Sequence, residues 1–254
     1  MVISIAILAK NGYHVLGIRL IKKFLYHYNG SSNIKFYIFC NEDPYPYLSD
    51  KEASHVIPVY DKCNTWVVGA NSKFENIYSL RNILSNYIFY MDADTNINIP
   101  FDEKWFIGDT VVAEHFDNRI GMKDFKPYDN FIKSSCYVDP FSPLEQQYYQ
   151  GAFFGGKKQN IINMCQYIID LQKQNKNIKH EPIWNDESYT NFYFHHHPPK
   201  KMIMIEDFRF AISDKGGIEG LRNPKINLDF LKKRMLKNKK KIYDICNGRI
   251  ANII

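Results

Sequence analysis

The chain has 254 residues, of which 45% are hydrophobic and 15% aromatic, and its formal net charge is +6. That length suits one large α/β domain with a full core, and that composition excludes a disordered or collagen-like chain. The five cysteines, Cys40, Cys63, Cys136, Cys165 and Cys246, are odd in number and include no Cys-x-x-Cys, so neither a disulfide framework nor a zinc site is signalled and a reducing compartment fits.

Val2 to Leu8 is an apolar run too short to span a membrane and without the basic start and cleavage pattern of a signal peptide. It reads as a buried first strand. No other segment approaches spanning length, so a soluble, cytoplasmic protein is expected. Tyr13 to Tyr28 places Leu16, Leu20, Ile21, Phe24 and Leu25 at steps of three and four, which predicts an amphipathic helix. Ile34 to Cys40 predicts a second strand, broken by the turn chemistry of Asn41-Glu42-Asp43-Pro44. Ser54 to Tyr60 reads as a third strand, Phe74 to Leu84 as a helix, and Tyr87 to Met91 as a fourth strand that runs into acids. This alternation predicts a mostly parallel sheet of nucleotide-binding type flanked by helices, whose ligands bind where the carboxyl ends of the strands open.

Residues 119–147, with Pro127, Pro140 and Pro143, carry no periodic pattern and read as a long functional or mobile loop. Asn160 to Leu171 predicts a helix with Ile161, Ile162, Cys165, Ile168 and Ile169 inward. The basic run from Lys232 to Lys241 suits nucleic acid, an anionic membrane surface or a diphosphate, and equally a solvated helix end or tail. No nucleic-acid-binding motif accompanies it, so no nucleic-acid partner is expected. The 18 Tyr and 18 Phe suit a carbohydrate-facing surface and are also ordinary core material. The division expected is a single domain over residues 1–225 and a basic tail over 226–254.

Asp92-Ala93-Asp94 follows the fourth strand directly. Two carboxylates one residue apart at a strand end can converge on a hard divalent cation, and the same triplet also suits a solvated strand-end turn. His195-His196-His197, followed by Pro198-Pro199, reads as a helix end, because three adjacent histidines on one element cannot all face one ion.

Tyr148-Tyr149-Gln150-Gly151-Ala152-Phe153-Phe154-Gly155-Gly156 and Trp184-Asn185-Asp186-Glu187-Ser188 closely resemble two segments of glycosyltransferase family 6, the family of the blood-group A and B transferases and α-1,3-galactosyltransferase. Phe36-Tyr37-Ile38-Phe39 resembles one of its strands, and Trp66 precedes Lys73 as a Trp precedes an Arg there. Order and spacing hold from about residue 3 to 205, across divergent intervening sequence.

The resemblance implies a GT-A type fold and a retaining transfer of a hexose, galactose or N-acetylgalactosamine, from a UDP-sugar to a glycan acceptor in α-1,3 linkage. Asp92 and Asp94 match the metal- and UDP-binding pair, which implies Mn²⁺; many bacterial members carry Asn-x-Asn there and work without metal. Ile7, Leu8, Ala9 and Tyr13 fall where the uridine pocket is built. Glu187 matches the carboxylate beside the anomeric carbon, as nucleophile or as stabiliser of an oxocarbenium-like centre. Asp186 matches the residue that holds the donor's hydroxyls. Gln150, Gly151 and Ala152 line the donor-sugar segment, where the Ala152 methyl tilts toward galactose. Trp184 matches an acceptor platform and also suits a core tryptophan. Gly155-Gly156 would let backbone approach the donor, and equally suits a plain turn.

Three departures stand out. Lys73 replaces an Arg that bridges donor and metal-binding acid, keeping the charge and losing the fork. Only His115, after Glu114, remains of a longer acceptor motif, and the Tyr-Glu-Arg-Arg segment is missing from 136–147. Lys225 and Lys232 are candidates for a lysine that closes over the diphosphate. Other readings of the same residues are a GT-A transferase of UDP-glucose or UDP-N-acetylglucosamine, and a glycan- or nucleotide-binding relative without transfer.

Overall fold

The computed structural model describes residues 1–10, 13–60, 66–97, 100–114, 129–139, 149–203 and 212–213. One compact part spans Met1–Ser213 and a second comprises Asp214–Ile254. The basic run, Lys225 and Lys232 thus lie outside the described residues.

β1 (Val2–Leu8), β2 (Asn33–Cys40), β3 (Val56–Tyr60) and β4 (Tyr87–Asp92) are the apolar runs that the sequence pattern marks. They pair in parallel in the order β3-β2-β1-β4. Beyond β4 the sheet continues through β7 (Tyr149–Lys157), β6 (Thr110–Glu114) and β8 (Lys201–Ile203) to seven strands. β7 runs antiparallel to both β4 and β6, and β6 pairs in parallel with β8, so β7 alone opposes the common direction. A two-residue strand β5 (Thr95–Asn96), just past the Asp92-Ala93-Asp94 turn, pairs with β9 (Ile212–Ser213).

Alternation along the strands divides the core in two. Ile3, Ile5, Ile7 and Ala9 of the β1 segment join Phe89 and Met91 of β4 on one face, against α1 (His14–His27). There Leu20, Ile21 and Phe24 are fully buried, with Leu16 and Leu25 packed at the margin, as the three-four spacing predicts. Ala6, Ile88 and Tyr90 face the other way, toward α3 (Trp66–Ser79), α4 (Lys158–Asn177) and α5 (Asp186–His196). Ile161, Cys165, Ile168 and Ile169 of α4 are buried there, and Ile162 packs against them.

Several boundaries differ from expectation. α3 starts earlier and ends at Ser79, because Leu80, Arg81 and Ile83 donate to carbonyls three residues back and tighten the chain into turns. α4 is longer at both ends than the apolar spacing indicates. The short helix α2 (Asp50–Ala53) carries a capping box in which Ser49 and Glu52 exchange bonds. The part of the expected long loop that is described, residues 129–139, makes turns held by a bridge between Asp129 and Tyr137. Among the described residues no helix is long and apolar enough to cross a membrane.

Gly155 and Gly156 lie within β7 rather than in a turn. They pair with Phe89 and Ile88, whereas the donor-type acid Asp92 sits at the far, carboxyl end of β4. A Cβ at Gly155 would fall 2.1 Å from Phe89 Cδ1, and one at Gly156, where φ is 144°, would fall 2.4 Å from the Asp109 carbonyl oxygen. These glycines serve strand packing: no side chain fits beneath the Phe89 ring.

Candidate active site

The carboxyl ends of β1 and β4 lie side by side, with Leu8 opposite Asp92. Asp92 and Asp94 are half-buried and Ala93 between them is buried. β7 starts beside this edge, and its Gly151 meets the first turn of α5. Gly151 N–H donates to Glu187 Oε1 at 2.8 Å. A Cβ at Gly151 would stand 3.1 Å from Asp186 Oδ2 and 3.2 Å from Glu187 Cβ, so only glycine permits this approach at ordinary contact distances.

Lys73, on α3 and 3% exposed, joins the two groups of acids. Its Nζ lies 2.5 Å from Asp186 Oδ2 and 3.7 Å from Asp92 Oδ1, and it donates to the Gly151 carbonyl at 3.0 Å. It also stands 4.3 Å from the centre of the Tyr90 ring, whose hydroxyl donates to Asp92 Oδ1 at 2.5 Å. Burial disfavours the Lys73 charge, but Asp186, Asp92 and Glu187 outweigh it and hold the ammonium above its ordinary range. Burial raises Asp186 to about 6, opposed by Lys73 and reinforced by Asp92 and Glu187. At neutral pH the pair is therefore ionised, and the surrounding acids keep a cation in place.

α5 is held for this task by its own residues. Asn185 enters the helix with φ 48° and ψ −123°, a conformation that L side chains rarely adopt. Asp186 and Glu187 occupy the first turn, where the helix dipole favours negative charge. One turn on, the buried Asn191 accepts from Tyr149 N–H at 2.9 Å and donates to the Tyr149 and Glu187 carbonyls, both at 2.9 Å, which fixes α5 against β7. Below, Tyr189 accepts from Asn175 of α4 at 2.9 Å.

The expected site residues thus divide by location. Lys73, Asp92, Gly151, Asp186 and Glu187 converge, with Asp94 on the adjoining turn and half-buried Gln150 and Ala152 flanking Gly151. Trp184 is half-buried at the entry to α5, where its backbone N–H donates to Ser188 Oγ at 3.2 Å. Ile7 and Ala9 are fully buried on the α1 face, and Tyr13 caps α1 against the same core. His115 lies outside the described residues. His195 and His196 end α5 and His197 stacks on Tyr193 at 4.4 Å, the helix end that the sequence predicts.

The sequence profile of glycosyltransferase family 6 matches residues 13–213, which take in every converging residue. The chain belongs to glycosyltransferase family 6. Over 175 residues it is 28% identical to the O-antigen biosynthesis glycosyltransferase WbnI of Escherichia coli, an alignment that covers 65% of the chain and 70% of that protein. Over 81 residues it is 30% identical to the histo-blood group ABO system transferase 2 of Rattus norvegicus, covering 31% of the chain and 23% of that protein. The chain is a glycosyltransferase with a central sheet and flanking helices of GT-A type.

Two residues of this family 6 site escape a linear reading. Tyr90 shares the face of Asp92 because it lies two positions earlier on a strand, a parity signal that was available. Asn191 lies four positions after Glu187 on one helix, and nothing in its own neighbourhood announces a strand to clamp.

Proposed function

We propose that this family 6 enzyme transfers a hexose, galactose or N-acetylgalactosamine, from a UDP-sugar to a hydroxyl of a glycan acceptor, with retention and in α-1,3 linkage. The observation that carries this reading is the single ammonium of Lys73 between the strand-end acid Asp92 and the helix acid Asp186. A nucleotide-sugar enzyme needs one group at the diphosphate and another at the sugar, held at a fixed separation. Here both are tied to one buried cation.

The donor set at the diphosphate end fits a hard divalent ion such as Mn²⁺. Asp92 and Asp94 offer carboxylate oxygens, and among the described residues none hydrogen-bonds or ion-pairs with Asp92 Oδ2. No group of three or more His, Cys, Asp or Glu side chains forms a metal cage among the described residues. Such an ion would neutralise charge on the departing UDP.

In this reading Asp186 accepts hydrogen bonds from the donor's hydroxyls, and Gly151 lets the sugar lie close to β7. Glu187, oriented by the Gly151 N–H, supplies negative charge at the anomeric carbon as its bond to UDP breaks. Ala152 crowds an acetamido group and favours galactose. Trp184 offers a ring face to the acceptor sugar; His115, outside the described residues, is a candidate acceptor ligand on the family resemblance alone. The E. coli relative is named for O-antigen biosynthesis, which supports a bacterial surface polysaccharide as the acceptor class. Cys40, Cys136 and Cys165 are free and buried, which supports action in the reducing cytoplasm.

UDP release from a panel of UDP-sugars, with Mn²⁺ and with EDTA, tests the reading. Mn²⁺-dependent release from UDP-galactose or UDP-N-acetylgalactosamine is the expected result. Release only from UDP-glucose or UDP-N-acetylglucosamine would reassign the donor, and absence of both release and UDP binding would remove the transferase assignment.

A further inference from the structure

Tyr90 is a buried phenol in the middle of a strand, and both ends of it are engaged by site residues. Its hydroxyl donates to Asp92 Oδ1 at 2.5 Å, and the Lys73 ammonium stands 4.3 Å from its ring centre. The ring has no freedom to leave. It stacks on Phe154 at 5.2 Å and 20°, and Phe154 stacks on Phe74, the neighbour of Lys73 on α3, at 6.0 Å and 18°. The strand fixes its height, because Tyr90 pairs with Phe154 on one side and Ala6 on the other.

The charges around it pose a problem of allocation. Lys73 Nζ is in contact with Asp186 Oδ2 at 2.5 Å but is held at 3.7 Å from Asp92 Oδ1. Lys73 is buried while Asp92 is 38% exposed, so the two charges still attract at that separation, and the ammonium has a third N–H to give. The closer donor to Oδ1 is the Tyr90 hydroxyl, at 2.5 Å. A carboxylate fully paired with Lys73 would be a poorer ligand, since a cation would have to displace the ammonium.

We propose that Tyr90 is a positioning residue: its hydroxyl takes Oδ1 of Asp92, keeps Lys73 on Asp186, and so reserves Asp92 for a divalent cation and the diphosphate. The arrangement rests on the metal-dependent donor binding described above. It divides one buried cation unequally between two acids, so that the sugar-binding acid is neutralised by protein and the diphosphate-binding acid is not. The ring supports the same division, because its face attracts the ammonium and holds it away from the strand end.

Tyr90→Phe tests this directly, since it keeps the ring, the stacking and the core volume and removes only the hydroxyl. Asp92 is 38% exposed, so water can solvate the oxygen left behind and folding is expected to persist, with a melting temperature within a few degrees of wild type. Mn²⁺ affinity in the presence of UDP, read from the free-Mn²⁺ electron paramagnetic resonance signal, should weaken about tenfold. The Mn²⁺ concentration for half-maximal UDP release should rise in step, while kcat at saturating Mn²⁺ stays within about twofold. UDP binding measured in EDTA should not change. A core residue without this role would lower kcat and melting temperature together, or change nothing; either result, or unchanged Mn²⁺ affinity, overturns the assignment of Tyr90. Wild-type protein that binds UDP equally well with Mn²⁺ and EDTA would instead sink the metal reading, and Tyr90's role with it.

Discussion

Lys73 Nζ and Asp186 Oδ2 are 2.5 Å apart, a contact between α3 and α5 that places the only cation described at the site against an acid of the first helical turn. Lys73→Met should expose what that cation holds together. Asp186, already raised to about 6, loses the Lys73 charge and hydrogen bond that lower it, so its midpoint should climb above 6 in a carboxyl ¹³C titration. Leaving a buried acid unpaired costs on the order of 3 kcal/mol when it is ionised. The variant should therefore melt well below wild type at about pH 8 and approach it at about pH 5, where Asp186 takes up a proton. A deficit equal at both pH values would deny the pairing its energetic role.

The pH dependence of wild-type protein follows from the same group. Burial, aided by Asp92 and Glu187, holds Asp186 at about 6 against an ordinary value of 3.8. The folded state thus binds this proton more tightly than the unfolded chain. From Asp186 alone, stability falls as pH rises from 3.8 to about 6, and the cost is fully present above about 6. Activity should run the opposite way, because the proposed role needs the ionised form. At saturating Mn²⁺, kcat/KM for the donor should drop about tenfold for each pH unit below the midpoint. A profile flat down to about pH 5 would remove Asp186 from donor binding.

Much of this fold was legible in the sequence because its first half repeats two clean periods. β1, β2 and β4 are dense apolar runs, and α1 places its buried residues at steps of three and four, so neither needs distant context. Asp92 was visible because it follows such a run. β7 was not, since a stretch with Gly151, Gly155 and Gly156 carries the chemistry of a turn. What makes it a strand is Phe89, whose ring occupies the space that a Gly155 side chain would need. The Gly155-Gly156 pair, which the sequence offers either as a close approach to the donor or as a plain turn, lies within β7, while Gly151, nearer the strand start, is the glycine that meets the acids. Lys73 could be matched to a family position, but its joint hold on Asp92, Asp186 and the Gly151 carbonyl depends on three elements far apart in the chain.

Gly151→Ala tests that close approach. The added methyl would sit 3.1 Å from Asp186 Oδ2, 3.2 Å from Glu187 Cβ and 3.4 Å from Glu187 Cα, and the last belongs to the helix backbone. Asn191 ties α5 to Tyr149 of the same strand, so the strain falls on the two acids rather than on the whole helix. A displacement of a few tenths of an ångström would lengthen the bond from Gly151 N–H to Glu187. Transfer should fall about 10- to 100-fold, with UDP affinity near wild type, because the diphosphate end is untouched. Equal losses in UDP affinity and turnover would show that Gly151 acts on the fold as a whole.

Glu187→Gln separates charge from shape at the same contact. Glu187 Oε1 accepts from Gly151 N–H at 2.8 Å, and a glutamine can keep that bond with its amide oxygen while giving up the negative charge. Packing at the start of α5 should survive, with melting temperature and UDP affinity close to wild type. If the carboxylate meets positive charge at the anomeric carbon, an amide in its place should lower kcat on the order of 10³-fold, with little change in KM for the donor. Single-turnover UDP release at saturating donor measures this step without product release. A decrease of less than about threefold would assign the charge at the anomeric carbon to another group and leave Glu187 as a brace between α5 and β7.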